Sequence, residues 1–151
     1  MKRLLLLLAA LFSLMATQAQ SYIYKGNSTY TGDIIYTWDG RHLFTGKSTS
    51  PKDILLTYNG KQVFKGNSTY ASDILYSWSS NKVYKGQSSY TSDILYNYDG
   101  RHIYSGNSTY SNDILYTLVG KYIYSGRSTY SANIIYTTSA PIPVPILINI
   151  L

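Results

Sequence analysis

Two aromatic columns carry most of the chemistry this sequence can offer. Trp38, Tyr58, Trp78 and Tyr98 recur every twenty residues, and Tyr30, Tyr70, Tyr90, Tyr110 and Tyr130 follow the same interval, with Ser50 standing where a sixth ring would be. Rings repeated at one spacing on a rigid scaffold can stack against the flat faces of sugars while neighbouring Asp, Asn and Arg bond the hydroxyls. Trp38, Tyr58, Trp78 and Tyr98 are therefore the expected ligand-stacking residues. Packing is the competing use of the same rings: the chain has 18 Tyr against 3 Phe, so Tyr must also serve as core.

Catalytic chemistry lacks its residues. His42 and His102, the two histidines, take a place that other units fill with Gln62, Lys82 and Tyr122, so they read as interchangeable surface residues rather than a unique base. Cys and Glu are absent, all 7 acids are Asp, and no nucleophile elbow, phosphate loop or H-E-x-x-H occurs. A non-enzymatic protein without cofactor or metal is expected. Asp33, Asp53, Asp73, Asp93 and Asp113 come once per twenty residues, with no clustered carboxylates to hold calcium. Lying just after a turn, they are expected to accept backbone N–H bonds. The Ser-Thr pairs from Ser28-Thr29 onward read as a polar strand face or turn, with water ordering as the rival use.

Charge and export bound the partners. Lys2 and Arg3, an apolar run from Leu4 to Met15 and the small residues up to Ala19 predict a signal peptide over residues 1–19, hence a secreted or cell-surface product. The run is too short for a helix that spans a bilayer, which takes about 20 apolar residues. Without Lys2 and Arg3, 11 basic residues remain of 13, against 7 acidic ones, a charge of +4 instead of +6. It is dispersed along the chain, so neither nucleic acid nor an anionic membrane surface is an expected partner, and the short apolar run leaves no transmembrane span expected. Polysaccharide or envelope polymer is the expected partner, and self-association the second.

These side chains sit on six copies of one unit, beginning at Ile23, Leu43, Val63, Val83, Ile103 and Ile123. Asp39-Gly40, Asn59-Gly60 and Asp99-Gly100 predict two-residue type I′ hairpin turns, and a weaker turn near Thr31-Gly32 or Pro51-Lys52 gives each copy two strands. Pairing across Asp39-Gly40 would set Tyr36 opposite Leu43 and Ile35 opposite Phe44, leaving both faces apolar. The predicted fold is an all-β solenoid of 20-residue repeats over residues 20–140, built of stacked β-hairpins. A parallel β-helix is the alternative, and a closed barrel or trefoil of six hairpins the third geometry. The coil would hold like-charged Asp residues about 4.8 Å apart, which favours hairpins. The Pro-rich apolar tail, residues 141–151, is expected to be a capping strand over the solenoid's open end.

The units, of the form I-Y-x-G-x-S-T-Y-x-x-D-I-L-Y, resemble tandem repeats of uncharacterised secreted bacterial proteins from Ile23 to Ala140, a resemblance that implies no activity. The period and the aromatic hairpins are also loosely similar to the choline-binding cell-wall repeats, whose ligand sits between rings of successive hairpins. The Gly-Trp start and Trp-Tyr-Tyr run of that family are missing, so no choline site carries over. Curli-type subunits have a similar unit length, but their Gln and Asn ladders are missing too. The expectation is a secreted, non-enzymatic binder of glycan or envelope polymer, with a self-assembling matrix protein as the alternative.

Overall fold

The structure, a computed structural model, describes residues 19–151; the predicted signal peptide lies outside the described residues except for Ala19. Twelve antiparallel strands run in chain order: β1 (Ser21–Lys25), β2 (Ile34–Trp38), β3 (His42–Thr45), β4 (Ile54–Tyr58), β5 (Gln62–Lys65), β6 (Ile74–Ser79), β7 (Lys82–Lys85), β8 (Ile94–Tyr98), β9 (His102–Ser105), β10 (Ile114–Val119), β11 (Tyr122–Ser125) and β12 (Ile134–Thr138). Each pairs with its sequence neighbours, and β1 pairs with β12 through Ile23 opposite Thr138 and Lys25 opposite Tyr136, closing a barrel. The predicted two strands per unit are present. The solenoid is not: successive hairpins lie side by side in one sheet instead of stacking, and neither the hairpin stack nor the parallel coil describes the chain. Closure pairs the edge strands that a solenoid leaves open.

Curvature comes from a β-bulge repeated in the unit. Leu43 pairs with Leu56 but Phe44 with Ile54, so Leu55 is the extra residue, and the same shift recurs in β1–β2, β5–β6, β7–β8, β9–β10 and β11–β12. Six bulges bend and twist the sheet enough to close it. They also explain why two apolar residues run together in Asp-Ile-Leu: Ile54 shares a face with Phe44, whereas Leu56 shares the opposite face with Leu43.

The hairpin turns differ from the expected type. Trp38 pairs with Leu43 and Tyr36 with Thr45, two residues out from the predicted register, and Asp39 is not at positive φ. The reason lies in the Asp39 side chain, whose Oδ1 accepts the N–H groups of Arg41 (2.8 Å) and His42 (2.6 Å) and so fixes the turn around Gly40, at φ 97°. Among the described residues only Ser80-Asn81 puts two non-glycine residues at positive φ, at 49° and 61°.

Because strands alternate in direction, the six long connections gather at one end of the barrel and the short turns at the other. The first place of each unit, from Ile23 through Ile123, faces the lumen and is buried. The tail fills that lumen. It is not a capping strand but a short helix, α1 (Val144–Leu147), in which Ile146 and Leu147 are buried against Ile23, Leu43, Val63 and Ile123, while Val144 and Ile148 meet Val83 and Ile103. Pro141, Pro143 and Pro145 would strip the donors from one side of a strand, and the Pro145 ring suits a first helical turn. Tyr116 and Tyr136 donate their hydroxyls to Leu151 O (2.9 Å) and Ile150 O (2.8 Å), anchoring the tail's far end.

Candidate functional site

The loop end is built from one hydrogen-bonded clasp. In the second unit Ser48 Oγ donates to Asp53 Oδ2 at 2.5 Å and accepts the backbone N–H of Ser50 at 3.1 Å, closing a loop that ends in a 3-10 turn, Pro51–Asp53. Ser28 with Asp33, Ser68 with Asp73, Ser88 with Asp93 and Ser108 with Asp113 repeat it. The eleventh-place Asp thus accepts from a serine hydroxyl, not from backbone N–H as the turn position suggested. At the strand end, the carbonyl of the fourth-place glycine accepts a buried hydroxyl: Thr37 Oγ1 bonds Gly46 O and Thr137 Oγ1 bonds Gly26 O, each at 2.7 Å. These glycines take φ from 54° to 65°, the left-handed turn that lets the chain leave the sheet.

Each clasp presents the next residue but one to solvent. Tyr30, Tyr70, Tyr90, Tyr110 and Tyr130 are 74% to 80% exposed, a crown of rings around the loop end. Packing does not explain them.

The four predicted stacking residues lie at the opposite end, on the lumen face beside the tail. Trp38 is 5% exposed, and Tyr58, Trp78 and Tyr98 are half-buried. The Trp38 and Tyr58 rings lie 6.4 Å apart at 47°, and an open cleft of about 670 Å³ runs over them, lined also by Gly40, Arg41, Asn59, Gly60, Pro141 and Pro143. Tyr98 borders a smaller cleft of about 230 Å³, where Ile142, Val144 and Leu147 of the tail fill more of the space. The structure brings Trp38 and Tyr58 together in one cleft and does not join Trp78 or Tyr98 to it.

The histidines open β3 and β9 and bond the carboxylates of the turns before them. His42 Nδ1 lies 3.0 Å from Asp39 Oδ2, and His102 Nδ1 lies 2.9 Å from Asp99 Oδ2. Burial works to raise the Asp39 and Asp99 carboxyls. Backbone N–H bonds from His42 and His102, and the further donors around each carboxylate, outweigh it and hold both below the usual carboxylate value. Burial raises the phenols of Tyr58 and Tyr98, the latter with help from Asp99. No group of three or more His, Cys, Asp or Glu that could hold a metal ion occurs among the described residues.

Sequence reasoning missed the tail plug and the Ser–Asp clasp. The clasp did have a signal: Ser at the sixth place and Asp at the eleventh recur together until Asn133 breaks the pair.

A closed barrel of six equivalent hairpins defines a class of six-fold β-repeat protein. The chain belongs to the 6-fold beta flower protein family, whose model matches residues 22–147. No curated protein and no solved structure matches it.

Proposed function

We propose that this chain is an exported, non-enzymatic binding protein that holds a glycan or cell-envelope polymer on its crown of exposed tyrosines. The second unit carries the reading. Ser50 takes φ −75° and ψ 138° where Tyr30 takes −77° and 139°, and the clasp beneath it is unchanged. A ring at this place is therefore dispensable for folding, yet five of six units have one. Tyrosine offers an apolar face for a sugar ring and a hydroxyl for its edge. Several such rings on one rigid end multiply weak contacts into useful retention on a polymer.

The barrel geometry disfavours the self-assembling alternative, because closure leaves no unpaired strand edge to template fibres. No helix of the described residues is long and apolar enough to cross a membrane, and strands of 4 to 6 residues fall short of the roughly 9–11 that a membrane-spanning strand needs.

The test replaces Tyr30, Tyr70, Tyr90, Tyr110 and Tyr130 together by Ser, the residue the second unit already tolerates. The variant should keep the wild-type circular dichroism and denaturation midpoint while losing co-sedimentation with insoluble cell-wall and matrix polysaccharides. Equal sedimentation of both proteins, or none by the wild type, would refute the reading.

A further inference from the structure

The tail breaks the six-fold symmetry of the turn end, and one cleft differs from the rest in consequence. Over Trp38 and Tyr58, Pro141 and Pro143 form a far wall and leave about 670 Å³ open between it and the turns at Gly40 and Gly60. The floor is rigid. Tyr58 donates its hydroxyl to Gly60 O at 2.8 Å and its N–H to Arg41 O at 2.7 Å, with the Trp38 ring 6.4 Å away. Gly60 has nothing within 4 Å of where a Cβ would stand, so the rim is unobstructed there.

Charge selects the ligand. Arg41 is exposed, and the ion pairs found among the described residues are the two His–Asp contacts, so its guanidinium has no carboxylate partner. Asp39, the nearest acid in the chain, is committed to His42 and to two backbone N–H groups. Around the same end Lys61, Arg101 and Lys121 occupy turn positions and Lys82 opens β7, against Asp39 and Asp99 as the acids. A ring platform in a cleft that an unpaired arginine also lines matches a sugar that carries a carboxylate, since Arg binds carboxylates through two parallel N–H bonds.

We propose that this cleft is a site for one acidic sugar residue, its ring on Tyr58 and its carboxylate on Arg41. The proposal rests on the glycan reading for its ligand class, but on a different surface from the tyrosine crown. The site is separate from every loop-end residue.

The test uses the Trp78→Leu variant, because Leu118 fills the equivalent place in the fifth unit and Trp38 then becomes the sole tryptophan reporter. Galacturonic acid oligomers should change Trp38 emission saturably. Their methyl esters, which keep the ring and lose the charge, should bind at least about tenfold more weakly. Arg41→Gln should remove that preference, whereas Arg101→Gln, at the matching place of another turn, should keep it. The five-fold Tyr→Ser variant should retain the Trp38 response even where it loses polymer sedimentation, so the two readings fail separately. No response, equal responses to acid and ester, or equal losses from the two Arg variants would overturn the proposal.

Discussion

At the loop end of the barrel the eighth place of the unit holds Tyr five times and Ser once, and the backbone beneath is the same in either case. In the lumen the first place holds only Ile, Leu or Val, each at most 3% exposed and packed around the tail. One repeat therefore contains a position the fold ignores and a position the fold is made of. The tyrosines, expected both as core and as a ligand platform, divide accordingly. Tyr36, Tyr76, Tyr96, Tyr116 and Tyr136 ring the lumen, Tyr24, Tyr104 and Tyr124 are buried on the other face, and the crown tyrosines stand in water.

The largest effect should come from breaking the lumen. Ile146 is fully buried between the first-place residues of several units, and its loss to Ala would leave a cavity that a closed barrel cannot easily collapse. Ile146→Ala should cost about 2–5 kcal/mol in urea unfolding, against a change within about 0.5 kcal/mol for Tyr70→Ser. If the two cost the same, the tail does not occupy the lumen as described.

A middle effect should come from the clasp, which joins the two regions by fixing where the loop leaves the sheet. Ser68→Ala removes the donor to Asp73 and the acceptor for the Tyr70 N–H, and should cost about 1 kcal/mol. Ser128→Ala is the internal contrast: Asn133 replaces the Asp there, and Ser128 keeps only its bond from the Tyr130 N–H, at 3.3 Å. A smaller loss at Ser128 than at Ser68, measured by denaturant midpoint, would assign the difference to the carboxylate.

The strands, the six-fold repeat and its hairpins were legible because period-2 apolar runs and turn residues report local pairing. Whether successive hairpins stack or lie side by side depends on curvature, and that came from a bulge hidden inside Asp-Ile-Leu. Read with strict alternation, Ile34 falls on the same face as Tyr36. In the structure it pairs opposite Tyr24, on the other side of the sheet. The tail was illegible for a different reason: a lumen to receive it exists only once the barrel closes, and nothing local in Pro-Ile-Pro-Val-Pro announces that. Of the sites, the spacing revealed both aromatic columns, but which of them is exposed depends on the same closure. Arg41 gained meaning only when Pro141 and Pro143 came to face it.

The smallest expected change in stability is also the sharpest test of the crown. Ser50→Tyr would complete the sixth position on a backbone already at the tyrosine conformation, and the residue before Pro51 favours that extended geometry whatever its side chain. Stability should move by less than about 0.5 kcal/mol. If the rings act together on one polymer, a sixth contact worth up to about 1 kcal/mol tightens retention by up to about fivefold, since 1.4 kcal/mol is tenfold. If retention does not change, the rings are not engaged together, and the gap at Ser50 marks the side of the crown that the polymer never reaches. Moving the gap distinguishes these: Ser50→Tyr combined with Tyr110→Ser, on the far side of the six-unit ring, restores five rings in a new arrangement. Wild-type retention by that double variant means that ring number governs binding, and weaker retention means that the polymer lies across the fifth unit.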